Sequence, residues 1–235
     1  MWQDSSRTRI KLCEFESLDT AYSAAKLGAD ALGFHLFKHQ NLTERITRFK
    51  EIFRNLPREI NKVLLSDLDL PSLIDSSNFL GIDTIQLYPD WKSEEIITLK
   101  NQLYLPVKIL KVISAIPDEN AITDFGAFIK YYSTTVDGFL LDSFRSGGTG
   151  KTADWNLCRE IVKASPLPVF LAGGLTSENV SEAIRRVQPF GVDVETGVSD
   201  RIPGGPLVKN MFKCAAFIDA VRHVDRKSDK GVVCA

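Results

Sequence analysis

The chain has 235 residues, enough for one large domain or two small ones, and 44% of them are hydrophobic, which is enough to fill a core. Its 29 basic and 30 acidic residues leave a formal net charge of -1, so charge argues for neither nucleic acid nor an anionic membrane as partner. The longest apolar runs are strand-sized and residues 1–9 are polar, which excludes a bilayer span and a signal-peptide core; four cysteines without close CxxC pairing predict reduced thiols in a cytoplasmic protein.

From residue 10 onward, short runs rich in β-formers alternate with amphipathic segments. A strand at 10–13 (IKLC) precedes a helix at 18–27. Further strands are predicted at 31–36, 62–65, 84–87, 107–112, 138–141, 169–172 and 191–195. The helices between them fall at 44–55, 72–79, 94–101, 121–131, 155–164 and 177–187, and a last helix at 207–223. Asp154 and Ser177 are the expected N-caps of the sixth and seventh helices. Eight strand–helix pairs are the count of a (β/α)8 TIM barrel, an α/β fold of about 250 residues. An open doubly wound sheet rarely has eight repeats, and GxGxxG is missing after the first strand. The expected organisation is an N-terminal extension at 1–9, a barrel over 10–224 and a flexible tail at 225–235.

Active sites of such barrels lie at the C-terminal ends of the strands. That rule selects Cys13, Leu36, Phe37, Ser66, Leu87, Tyr88, Lys111, Asp142, Gly173, Gly174, Thr196 and Gly197. Among them Cys13 and Asp142 can exchange protons near neutral pH after modest tuning, and Lys111 can if desolvated. LAGGLTSENV at 171–180 runs through two glycines toward a helix start, and ETGVSD at 195–200 makes a second glycine turn. Paired loops after strands 7 and 8 form the usual phosphate site of these barrels. A tight turn alone would also use Gly173 and Gly174; Asp142 alone reads equally as a loop cap, and Cys13 alone as packing. GGTGKT at 147–152 is not a P-loop, because Arg145 stands where the first glycine is required; it reads as a glycine-rich lid. His35 and His39 have no acidic or cysteine partner at metal spacing along the chain, so no metal site is expected. Trp2, Trp91 and Trp155 read as packing residues.

With these residues in hand, a family likeness is visible. KLC at 11–13, GADALGF at 28–34, LLDSFRSGGTGKTADW at 140–155, FLAGGLTSENVSEAI at 170–184 and GVDVETGV at 191–198 resemble phosphoribosylanthranilate isomerase, in order along the whole barrel. The segments around GGTGKTADW and AGGLTSENV are highly specific, whereas residues 57–132 match weakly. The resemblance implies an Amadori rearrangement of a phosphorylated aminoaldose without metal or organic cofactor, in tryptophan biosynthesis. It makes Asp142 the general acid that protonates the furanose ring oxygen, and Cys13 the general base that takes the C2′ proton. Gly173, Gly174, Thr196 and Gly197 would hold the phosphate; Lys11, Gly147, Gly148 and Arg45 would contact the rest of a small sugar-amine substrate. The expected assembly is a monomer or homodimer.

Four departures bear on the substrate. The family's KICG is here KLCE, placing Glu14 beside Cys13. The arginine expected to meet the anthranilate carboxylate falls on Leu42, leaving Arg45 or Lys38 as substitutes. QLHG at the fourth strand end is QLYP, and a small hydroxyl residue of the eighth strand is Glu195, unfavourable beside a phosphate unless it points away. Two alternatives therefore stand beside the main reading: an isomerase of another phosphorylated aminosugar, and a catalytically silent barrel that binds a phosphorylated metabolite.

Overall fold

The computed structural model describes residues 1–2, 7–114, 124–142 and 154–230. Eight parallel strands close into a barrel in sequence order: β1 (Arg9–Leu12), β2 (Ala31–Leu36), β3 (Asn61–Ser66), β4 (Thr84–Leu87), β5 (Lys108–Ser114), β6 (Gly138–Asp142), β7 (Val169–Ala172) and β8 (Gly191–Val194). Closure is made by β1 against β8, from Arg9 opposite Gly191 to Leu12 opposite Val194. The outer layer is α1 (Leu18–Leu27), α2 (Leu42–Asn55), α3 (Leu70–Leu80), α4 (Ser93–Gln102), α5 (Phe125–Tyr132), α6 (Trp155–Ala164), α7 (Val180–Val187) and α8 (Met211–Lys230). This is the (β/α)8 barrel that the alternating pattern predicts.

Strand alternation divides the side chains into two sets. Ile10, Leu12, Leu32, Phe34, Ile85, Leu141 and Val192 face the helices and join the main core. There Phe34 packs edge-on against Phe49 and Phe53, with centroids 5.3 and 4.7 Å away. Each such buried ring contributes about 1.5–3 kcal/mol. Residues of the other parity fill the barrel. Leu110, Leu140 and Phe170 form its lower interior, and Trp2 closes that end. The Trp2 ring meets Phe170 edge-on at 5.8 Å, and its Nε1 donates to Thr84 Oγ1 at 3.1 Å. A side chain at Gly191 would place Cβ 2.4 Å from the Phe170 ring, so glycine there makes room for the plug.

Helix starts follow the caps: Asn41, Asp69, Asp124 and Asp154 each accept backbone N–H groups of the first turn. Asp154 was expected in that role; Asn41 and Asp69 begin α2 and α3 two residues earlier than the apolar pattern suggests. Ser177 is not a cap. Residues 177–179 form a turn, with Asn179 Oδ1 accepting from Thr176 N at 2.8 Å and Nδ2 donating to Gly174 O at 2.9 Å, and α7 starts at Val180.

Two further expectations are corrected at the C-terminal end. Residues 207–209 are not helical. After a 3₁₀ turn (Thr196–Val198), β9 (Ser199–Arg201) and β10 (Leu207–Lys209) pair antiparallel. Gly204 in the left-handed region makes the reversal, and Asn210 Oδ1, accepting from Phe212 N and Lys213 N, starts α8 afterwards. Residues 225–230, expected in a flexible tail, continue α8. Asp225 anchors that turn by accepting from Thr8 N at 3.0 Å and Arg222 at 3.0 Å. Among the described residues, no helix is long and apolar enough to cross a membrane.

Candidate active site

A cavity of about 190 Å³ opens at the C-terminal end of the barrel. Its lining includes Cys13, Gln86, Tyr88, Asp142, Asp193 and Glu195, together with Gly173, Gly174, Thr196 and Gly197. The strand-end rule therefore brings seven of its residues together: Cys13, Tyr88 and Asp142 at the tops of β1, β4 and β6, and Gly173, Gly174, Thr196 and Gly197 in the two glycine loops after β7 and β8. Gly173 and Gly174 have φ of 96° and 64°, a conformation that glycine adopts at little cost. Gly197 is required by proximity instead, since a Cβ there would lie 2.0 Å from the Leu175 carbonyl oxygen.

Cys13 is held in place from below and from the side. A Cβ at Gly33 would come within 2.7 Å of its sulfur, so the small residue of GADALGF leaves the thiol its place. Lys11 sits inside the barrel, fully buried, with Nζ 2.8 Å from Asp193 Oδ1. Burial alone would favour the neutral amine, but the Asp193 carboxylate and the Cys13 sulfur outweigh it and raise the Lys11 pKa. Lys11 is thus a buried charge beneath the cavity, and it does not line it.

His35 was not expected in the site. It points inward from β2, and its Nε2 lies 3.5 Å from Cys13 Sγ and 3.4 Å from Glu195 Oε2. Burial works against its charge, yet the sulfur and the carboxylate prevail and push its pKa up to about 10. Glu195 responds in the opposite sense: burial raises it, and the imidazolium, Lys209 and Lys11 together bring it below the usual range. A carboxylate beside a phosphate loop is unfavourable, and here its oxygen turns to His35.

Two neighbours complete the electrostatics. Lys209, from the β9–β10 hairpin, donates to Glu195 O at 3.1 Å and to Ser199 Oγ at 2.7 Å. Its pKa is lowered by burial in spite of Cys13, Glu195 and Glu14. Glu14 occupies the family's glycine position with φ 68°, the left-handed backbone that explains the glycine. One of its carboxylate oxygens is buried without a hydrogen-bond partner, and burial followed by the Glu195 charge raises its pKa.

Other expected residues lie elsewhere. Lys111 turns outward, bonding Pro89 O at 2.9 Å and Asp90 Oδ1 at 3.1 Å between the Phe128 and Tyr132 rings. Ser66 bonds the Leu36 carbonyl and Leu68 N–H. Arg45 does not reach the cavity: Nε donates to His35 O at 2.7 Å, the guanidinium pairs with Glu16, and its plane lies over Phe49. Gly147 and Gly148 lie outside the described residues, as does the rest of the expected lid. Lys209 was missed because LVK reads as a continuation of the last helix; the PGGP turn before it is the signal that separates them.

Fold and cavity define a (β/α)8-barrel enzyme with titratable groups at its strand tops, suited to a small substrate. The profile of the family described as N-(5'phosphoribosyl)anthranilate (PRA) isomerase matches residues 10–220. Among similar proteins, N-(5'-phosphoribosyl)anthranilate isomerase 2 of Methanosarcina mazei is 35% identical over 203 residues, covering 82% of this chain and 86% of that one. The isomerase of Thermosynechococcus vestitus is 32% identical over 217 residues, covering 91% and 89%. The crystal structure of phosphoribosyl anthranilate isomerase from Thermotoga maritima superposes with a TM-score of 0.76 at 25% identity, covering 92% of this chain and 99% of that one. The chain belongs to the N-(5'-phosphoribosyl)anthranilate isomerase family, and it is an isomerase of the intramolecular oxidoreductase class.

Proposed function

We propose that this protein converts N-(5-phosphoribosyl)anthranilate to 1-(2-carboxyphenylamino)-1-deoxyribulose 5-phosphate, with Asp142 as general acid and Cys13 as general base. The observation that carries the assignment is the shared cavity, which places both groups and both glycine loops around one small volume. Asp142 gives its proton to the furanose ring oxygen as the C1′–O bond breaks, leaving a Schiff base. The Cys13 thiolate then takes the C2′ proton, and the resulting enolamine tautomerises to the ketone. A thiolate at Cys13 faces the His35 imidazolium, so its charge is compensated where it is needed. The loops at Gly173–Gly174 and Thr196–Gly197 grip the phosphate, and that binding orients the distant reacting carbon.

The aryl group has an aromatic surface available in Tyr88 and Phe37, whose rings meet edge-on at 5.8 Å. Its carboxylate partner is not Arg45, which is committed to Glu16. That observation favours a second reading, in which the same machinery isomerises another phosphorylated aminosugar. We assign the protein to the cytoplasm, as a monomer or homodimer acting in tryptophan biosynthesis, with no nucleic-acid or membrane partner.

Turnover of phosphoribosylanthranilate is followed by loss of its anthranilate fluorescence. The wild-type protein should show it, and Cys13→Ser and Asp142→Asn should each lose at least about 100-fold in rate. No turnover by folded wild type at high enzyme concentration refutes the assignment. Undiminished rate in either variant removes that residue's role.

A further inference from the structure

The sequence offers His35 no metal partner, but barrel closure supplies two. Cys13 of the β1 end, His35 of β2 and Glu195 after β8 bring a thiol, an imidazole and a carboxylate within 4.8 Å of one another. Both anionic groups approach the same ring nitrogen, Nε2. A proton relay uses the two different nitrogens of a histidine, one for each partner. Convergence on one nitrogen is instead the arrangement of ligands around a shared cation.

The distances suit zinc. A tetrahedral Zn²⁺ with Zn–S of about 2.3 Å and Zn–N and Zn–O of about 2.0 Å holds its sulfur and nitrogen about 3.5 Å apart, and its nitrogen and oxygen about 3.3 Å apart. The structure has 3.5 and 3.4 Å. Thiolate, imidazole and carboxylate also suit a borderline ion rather than Mg²⁺ or Ca²⁺. The charges agree: one thiolate and one carboxylate neutralise a dication. Glu14, next to Cys13 in the chain, has a buried carboxylate oxygen without a hydrogen-bond partner. Cys13 and Glu195 both line the cavity, so an ion has a route in and water can complete its shell.

We infer that Cys13, His35 and Glu195 form a zinc site at the mouth of the barrel, and that zinc occupying it withdraws the catalytic base. Inhibition follows because coordination lowers the basicity of the thiolate and holds its sulfur against the ion rather than against the substrate C–H. This consequence rests on Cys13 being the base; the metal site itself does not.

Cobalt(II) serves as the spectroscopic probe. Titrating the full-length metal-free protein with Co²⁺ should give a near-ultraviolet thiolate-to-cobalt charge-transfer band and the intense visible absorption of a tetrahedral ion, both displaced by Zn²⁺. Cys13→Ser should abolish the charge-transfer band. His35→Asn and Glu195→Gln should each weaken Zn²⁺ binding more than about tenfold, since loss even of an outer partner of a metal ligand costs about 10- to 100-fold. Circular dichroism establishes that each variant is folded. A cobalt spectrum without the charge-transfer band, or one unchanged by Cys13→Ser, overturns the site and leaves His35 sharing only a proton with its neighbours. Turnover is measured separately. Full activity in the zinc-loaded protein would refute Cys13 as base while the spectrum still decides the site.

Discussion

Replacing Gly197 by alanine is the sharpest probe of the two-loop arrangement above the barrel. The added Cβ would lie 2.0 Å from Leu175 O, 3.1 Å from Leu175 C and 3.2 Å from Thr176 Cα. An ordinary carbon–oxygen contact needs about 3.3 Å, so the loops after β7 and β8 must part by about 1.3 Å. Every clashing atom is backbone, so no rotamer change relieves it. Overpacking of this kind costs about 1–3 kcal/mol, which lowers Tm by roughly 2–12 °C in a domain of this size. The greater loss should be functional, because a misplacement of about 1 Å can cost about 100-fold in rate. The fluorescence assay should show kcat/KM for phosphoribosylanthranilate falling by about that factor, while a melting curve reports the smaller stability loss. A Gly197→Ala variant with wild-type kcat/KM and Tm would mean that the close approach of the two loops plays no part in holding the substrate.

Two predictions concern stability. Asp30 is half-buried at the lower rim and takes hydrogen bonds from Ile10 N, Arg7, Arg9 and Arg222. Asp30→Asn strands those partly buried cations and the Ile10 N–H, which costs about 1–3 kcal/mol, or roughly 2–12 °C in Tm. Burial raises the Asp30 pKa, but Arg7 and the Ile10 N–H outweigh it and set it below the ordinary 3.8. A lowered folded pKa means that this stabilisation is present above 3.8 and is lost as pH falls through the folded value; the variant should therefore show a flatter acid limb, and an unchanged limb refutes the account. Glu14→Gly should stabilise. Relief of left-handed strain, about 1–2 kcal/mol, and of an unpaired buried oxygen exceeds the glycine entropy cost of about 0.5–1 kcal/mol. Tm should rise by roughly 2–8 °C, and a lower Tm would contradict the strain argument.

The barrel is legible in the sequence because its strands carry their apolar residues in short runs bounded by turns, as in 138–142 and 169–172. Cys13 and Asp142 are legible for the same reason: each is a polar residue ending such a run. The trio around His35 is not, because its members are partnered by ring closure. Nothing local in IKLCE, GFHLF or VETG indicates that β1 sits between β2 and β8 with these three side chains turned to one point. Arg45 misleads in the opposite way. Its position after the second strand suits a carboxylate clamp, but α2 begins early on Asn41 and aims the guanidinium at Glu16. Lys209 is hidden because a three-residue strand is too short to break the apolar pattern that runs into α8.

The lower rim has a further consequence. Thr8 N meets Asp225 Oδ1 at 3.0 Å, and Arg222 of α8 reaches both Thr8 O and Asp30. The first strand and last helix are thus tied side by side, on the face opposite the cavity. Circular permutation becomes feasible. A linker could connect the chain after α8 to the chain before Thr8, and the chain could be reopened at Gly81, where an added Cβ would meet nothing within 4 Å in the loop before β4. Such a permutant would string the same eight units in a new order and still bring Cys13, His35 and Glu195 together, because ring closure, not chain order, makes them neighbours.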